Sequence, residues 1–64
     1  MKGEVVKWIP LKGFGFIDVK DHDANVFVHN EEVKNVQYLA VGDKVEFEIE
    51  ESSRGPKAVN VNLI

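Results

Sequence analysis

Four flat side chains, Phe14, Phe16, Phe27 and His29, recur at alternate positions of two short apolar segments, with cations around them. Rings held on one face stack on other rings, and nucleobases are the abundant flat ligands. Such stacking contributes about 1–3 kcal/mol per base and requires the base to be unpaired. Lys7 and Lys12 flank the first ring segment, while Arg54 and Lys57 lie in and just after a later loop, where they could meet phosphates. Other chemistries find less support. His29 has no nucleophile in its pattern, and Ser52 and Ser53 are loop residues with nothing to build a triad. The chain has no cysteine, which excludes a disulfide scaffold, a thiolate zinc site and a cysteine nucleophile. Asp18, Asp21, His22 and Asp23 gather oxygen and imidazole ligands, yet an acidic turn explains them without a cation. Lys12-Gly13-Phe14-Gly15 has neither the P-loop spacing nor a following helix, so it does not cradle a phosphate. No enzyme activity, metal or small-molecule cofactor is expected.

Positioning those rings requires strands. Period-two alternation dominates the chain. Strands are expected over 3–9, 14–19, 25–29, 44–51 and 57–63. Pro10 ends the first, and the polar run 20–24 turns the second into the third. Residues 30–41 are the least regular, with at most one helical turn, and 52–56 read as a loop. Within 44–51, Val45, Phe47 and Ile49 point inward and Glu46, Glu48 and Glu50 outward. Ile17, Val19, Val26, Val28, Val45, Phe47, Ile49, Val59 and Val61 already supply an interior, which leaves Phe14, Phe16, Phe27 and His29 outside. Five short strands without a long helix predict an all-β, five-stranded antiparallel Greek-key barrel, because closure removes sheet edges. Trp8 fits either the core beside Val5 and Phe47 or a partly exposed place near the ligand. The second is favoured because tryptophan is seldom fully buried.

Sixty-four residues, 44% apolar and 30% charged, make one small ordered domain spanning 1–64. A chain of this size buries only about 60% of its unfolded surface. It therefore has no second layer to cover an outer row of aromatics, and exposed contiguous aromatics mark a binding surface. No membrane-spanning run or apolar leader is present, so a cytoplasmic monomer is expected. The net charge of −3 argues at first against a polyanion. Its distribution reverses the point: residues 1–20 hold four lysines and two acids, +2, whereas 21–64 hold four bases and nine acids, −5.

These residues resemble the cold-shock domain, an OB-type five-stranded barrel that binds single-stranded RNA and DNA. Lys12-Gly13-Phe14-Gly15-Phe16-Ile17 is similar to its K-G-[FY]-G-F-I motif, and Val26-Phe27-Val28-His29 to its V-F-V-H motif. Val45–Ile49 resembles its fourth strand, and Arg54–Val61 its R-G-P-x-A-x-N-V segment. The resemblance spans essentially the whole chain. It implies that Phe14, Phe16, Phe27 and His29 stack on bases with Lys12 and Arg54 in support, and that the protein works as an RNA chaperone of low sequence specificity. Three departures stand out. In the family's K-W-F-N-x-x-K-G the Lys follows the Trp by five positions, whereas Lys12 follows Trp8 by four. An ungapped alignment sets Lys7 at the family's Trp, and a gapped one sets Ile9 at its Phe. Either way the platform lacks one ring. Asn30 stands where a further aromatic is common, followed by Glu31 and Glu32, and Tyr38 is the aromatic of the shortened loop. An alternative use of the same patch, suggested by those acids, is docking of a protein partner or a second copy.

Overall fold

The computed structural model describes residues 1–20 and 25–64. Five strands form: β1 (Lys2–Ile9), β2 (Phe14–Asp18), β3 (Val26–His29), β4 (Lys44–Ser52) and β5 (Gly55–Leu63), with a 3₁₀ turn at Asn30–Glu32. They close into a barrel in the order β1-β2-β3-β5-β4, with β4 returning to β1. All pairings are antiparallel except β3 with β5, which is parallel and in register at Phe27↔Lys57. Of the Asp18, Asp21, His22, Asp23 cluster, only Asp18 is among the described residues, exposed at the end of β2. Among the described residues no helix is long and apolar enough to cross a membrane.

β-Branched residues at alternate positions build the interior. Val5, Ile17, Val26, Val28, Val45, Phe47 and Val61 are at most 2% exposed. Burying each such side chain contributes about 1.5–3 kcal/mol, which is why the alternation fixes strand register. Val33 and Leu39 join this core from the irregular segment. Neither stands in an alternating run, so periodicity could not reveal them.

Two bulges displace the simple inside–outside pattern. In β1 the register shifts between Val5 and Lys7, leaving Val6 unopposed and exposed. In β5, Asn60 and Val61 together face Phe47, since Glu46 pairs with Asn62 and Glu48 with Val59. Asn60 takes the left-handed conformation at φ 52°, which asparagine tolerates better than most residues. The bulge corrects one expectation: Ala58 and Val61 point inward, and Val59 lies with Glu48 on the outer side, half-buried. Ile49 packs against the core from a half-buried position.

The expected loop 52–56 is also mostly strand. Ser52 pairs with Gly55, leaving a two-residue turn at Ser53 and Arg54. The Ser52 hydroxyl donates to the Gly55 carbonyl at 2.6 Å and accepts from the Arg54 N–H at 3.3 Å. Gly55 has φ 110°, a region that side chains other than glycine's rarely enter. A single glycine thereby lets both long strands run to the tip of the hairpin.

Candidate nucleic-acid interface

β2 and β3 place the rings. Their register sets Phe14 opposite His29 and Phe16 opposite Phe27, on the outer face, while Gly15, Ile17, Val26 and Val28 face inward. Phe27 is central, with its centroid 5.5 Å from Phe14 and 6.0 Å from Phe16. Phe14 and Phe16 meet edge to face at 6.2 Å and 88°. Edge-to-face pairs of this kind hold one another's orientation. All four side chains of the row are half-buried, seated on the barrel yet open on one side.

β1 extends this face, but not as the aromatic spacing suggested. Beyond its bulge, Lys7 pairs with Phe16 and Ile9 with Phe14 on the outer side, while Trp8 pairs with inward-facing Gly15. A Cβ at Gly15 would overlap the Lys7 carbonyl oxygen and lie 2.7 Å from Trp8 Cε3. The glycine therefore admits the indole over its backbone. Trp8 Nε1 is buried and has no hydrogen-bond partner among the described residues. The platform thus carries a cation at Lys7 and an aliphatic side chain at Ile9, and lacks the ring that both alignments leave out. Ile9 on this face agrees with the gapped alignment, whereas alternation alone does not show it, because the bulge that turns it outward leaves no mark there.

The β4–β5 hairpin forms the opposite wall. Phe16 and Phe27 share a pocket of about 370 Å³ with Ser52, Ser53, Arg54, Gly55, Pro56 and Lys57. Arg54 is exposed at the turn, and Lys57 stands beside Phe27 across the β3–β5 seam. Lys57 Nζ lies 3.4 Å from Glu50 Oε1, so part of its charge is compensated. Lys12 is exposed in the β1–β2 turn. Ser52, Ser53 and Pro56 were not singled out from sequence. Only the pairing of Ser52 with Gly55, invisible before β5's start was known, folds them over the rings.

Trp8 and Tyr38 are not part of the ring cluster. They line a separate pocket of about 380 Å³ with Pro10, Gly13, Asn30, Leu39 and Ala40. Gly13 and Asn30 immediately neighbour Phe14 and His29 in the chain, so this second pocket continues from the end of the platform. Tyr38 is 71% exposed. The rings, Lys7 and the cationic hairpin therefore form one face, with the Trp8–Tyr38 pocket adjoining it. The arrangement offers apolar planes to stack on and positive charge at the margins.

Comparison with known proteins agrees with this geometry. The family model described as "'Cold-shock' DNA-binding domain" matches residues 1–64. Cold shock-like protein CspC of Shigella flexneri is 44% identical over 66 residues, covering 100% of this chain and 96% of that protein. CspC of Escherichia coli strain K12 matches to the same extent. Cold shock-like protein CspJ of Salmonella typhimurium strain LT2 is 43% identical over 60 residues, covering 89% of this chain and 86% of that one. Among solved structures, Drosophila Unr CSD456 superposes with a TM-score of 0.81 at 23% identity. That match covers 98% of this chain but only 26% of the Unr chain, and it bears on the fold alone. A closed five-stranded barrel, an outward aromatic row on β2 and β3, and a family match from end to end converge: the chain belongs to the cold-shock DNA-binding domain family, and its function is nucleic-acid binding of the cold-shock type.

Proposed function

We propose that this protein binds single-stranded RNA and DNA with low sequence specificity and acts as an RNA chaperone. The observation that carries the reading is the half-open Phe14–Phe16–Phe27 cluster, walled by a hairpin that bears Arg54 and Lys57. His29 extends the rings, Lys7 and Lys12 meet the phosphates, and the Trp8–Tyr38 pocket takes the strand where it leaves the platform. Stacking needs unpaired bases, so the protein binds the melted form of a local hairpin and draws the equilibrium toward it by mass action, without chemistry. It works as a cytoplasmic monomer, with no cofactor.

Titration of fluorescently labelled oligothymidine and oligouridine, followed by anisotropy, tests this directly. Saturable binding that collapses in the double variant Phe16→Ala/Phe27→Ala is expected. Absence of saturation, or an unchanged affinity in that variant, overturns the reading. A second reading, docking of a protein partner or another copy, draws on the acids Glu31 and Glu32 beside His29 in one hollow. It requires a concentration-dependent mass in sedimentation that added oligonucleotide leaves untouched.

A further inference from the structure

His29 differs from the phenylalanines beside it because its polar atoms are already committed in part. It is the N-cap of the 3₁₀ turn Asn30–Glu32, and its Nδ1 accepts the Glu31 N–H at 3.2 Å. A ring nitrogen that accepts carries no proton, so the neutral imidazole holds its proton on Nε2. The turn that supplies the Glu31 N–H is itself anchored. Asn30 N–H donates to the Gly13 carbonyl at 2.8 Å, and Lys34 N–H to the Val61 carbonyl at 2.8 Å. The Glu32 carboxylate accepts the Asn60 N–H at 3.2 Å. Both the orientation and the tautomer of the ring are therefore set before any ligand arrives. Among the described residues Nε2 has no hydrogen-bond partner.

We infer that His29 is a specificity residue: a tautomer-locked donor that presents Nε2–H to an acceptor oxygen of the nucleic-acid strand lying across the platform. This rests on the nucleic-acid reading above and adds to it a hydrogen-bond requirement that rings alone do not impose. The oxygen could belong to a base carbonyl or to the phosphodiester backbone. The surroundings favour the carbonyl. His29 shares a hollow with Glu31, Glu32, Phe27, Lys57 and Ala58, and two carboxylates disfavour a phosphate there. Lys57, the one cation in that hollow, is engaged with Glu50.

Two measurements on the intact chain decide the matter. Long-range ¹H–¹⁵N correlation of the imidazole at neutral pH reads the tautomer without ligand; the Nε2–H form is expected, and a predominant Nδ1–H form overturns the inference. The second compares three short oligonucleotides: oligothymidine, the same strand with methylphosphonate linkages, and one with 2,4-difluorotoluene bases, which keep the shape of thymine and stack without an acceptor oxygen. His29→Phe keeps a ring and is expected to lower oligothymidine affinity about tenfold, with no loss on the difluorotoluene strand. A loss that vanishes only on the methylphosphonate strand assigns the oxygen to phosphate. A loss that persists on both, or no loss on oligothymidine, overturns the donor role. His29→Gln sets an amide nitrogen near the place of Nε2, whereas His29→Asn mimics only Nδ1. Gln is expected to retain the discrimination between thymidine and difluorotoluene strands and Asn to lose it, and the reverse order refutes the inference even if His29→Phe folds poorly. Failure of the wild-type chain to bind any oligonucleotide instead refutes the nucleic-acid reading, and leaves the tautomer to be judged by its own spectrum.

Discussion

At the scale of single residues, Phe27 is the ring on which the face depends. It touches both Phe14 and Phe16 and stands at the seam with β5. Phe27→Ala is expected to weaken oligothymidine binding by about 1–3 kcal/mol, roughly five- to 150-fold, by the usual worth of a base–ring stack. Its half-open position limits the stability cost to about 1 kcal/mol, so a thermal melt separates the two effects. Glu50 acts in the opposite sense. Its carboxylate holds Lys57 at the edge of the ring pocket, and Glu50→Gln is expected to tighten binding two- to threefold at low salt, on the order of an exposed ion pair's worth. The advantage should fade at high salt, and an equal affinity at low salt would refute it. The identity of the rings was legible in the sequence, because alternation against Ile17, Val26 and Val28 leaves them nowhere to go but outward. The partly exposed place expected of Trp8 agrees with its half-buried position. Its seat over Gly15 was not legible, because that depends on Val6 being skipped by the ladder and on Gly15 having no side chain, and neither leaves a trace in hydrophobic periodicity.

At the scale of elements, two bulges and one tight turn decide which side chains share a face. Without the β1 bulge, Lys7 and Trp8 would exchange sides, since a slip of one residue inverts every side chain after it. The platform therefore has room for a ring at position 7. Lys7→Trp is expected to raise affinity by about 1 kcal/mol and to reduce the salt dependence by about 0.7 in log–log slope, as one phosphate contact is exchanged for one stack. A weaker variant would show that the outer side of β1 is not on the ligand's path. The hairpin depends on Gly55, where Gly55→Ala is expected to cost about 1–2 kcal/mol in urea unfolding. It should also loosen the wall formed by Arg54 and Pro56. Alternation places the inward residues of β4, whereas in β5 it places Val61 inside but not Ala58, and misplaces Val59, because Asn60 inserts one extra residue opposite Phe47. Val33 and Leu39 escaped notice for a related reason. They reach the core from a segment with no period, where burial is set by how the chain crosses the end of the barrel.

At the scale of the molecule, a net charge of −3 coexists with a cationic margin to one face. Lys7, Arg54 and part of Lys57 border the rings and Lys12 is exposed in the β1–β2 turn, while Glu46, Glu48, Glu50 and Glu51 are carried by β4. With about three effective cations, the slope of log affinity against log salt should be near −2 for single strands. Duplex binding should be far weaker than single-strand binding, because a paired base offers no face to a ring. The closure of the barrel adds a last consequence. β3 and β5 meet at a single register position, Phe27↔Lys57, continued by the bridge Val33↔Val61. That seam has the fewest ladder bonds of the closed sheet, and the platform lies directly across it. A strand of nucleic acid seated on Phe27 and Lys57, as proposed, is expected to act as a splint over the barrel's shortest joint. Occupancy and closure become one thermodynamic quantity: at a hundredfold excess of ligand over Kd the folded form gains about 2.7 kcal/mol. The gain should appear as slower amide exchange along Val26–His29 and the facing stretch of β5, and equally in those β4–β5 amides that exchange only by global unfolding.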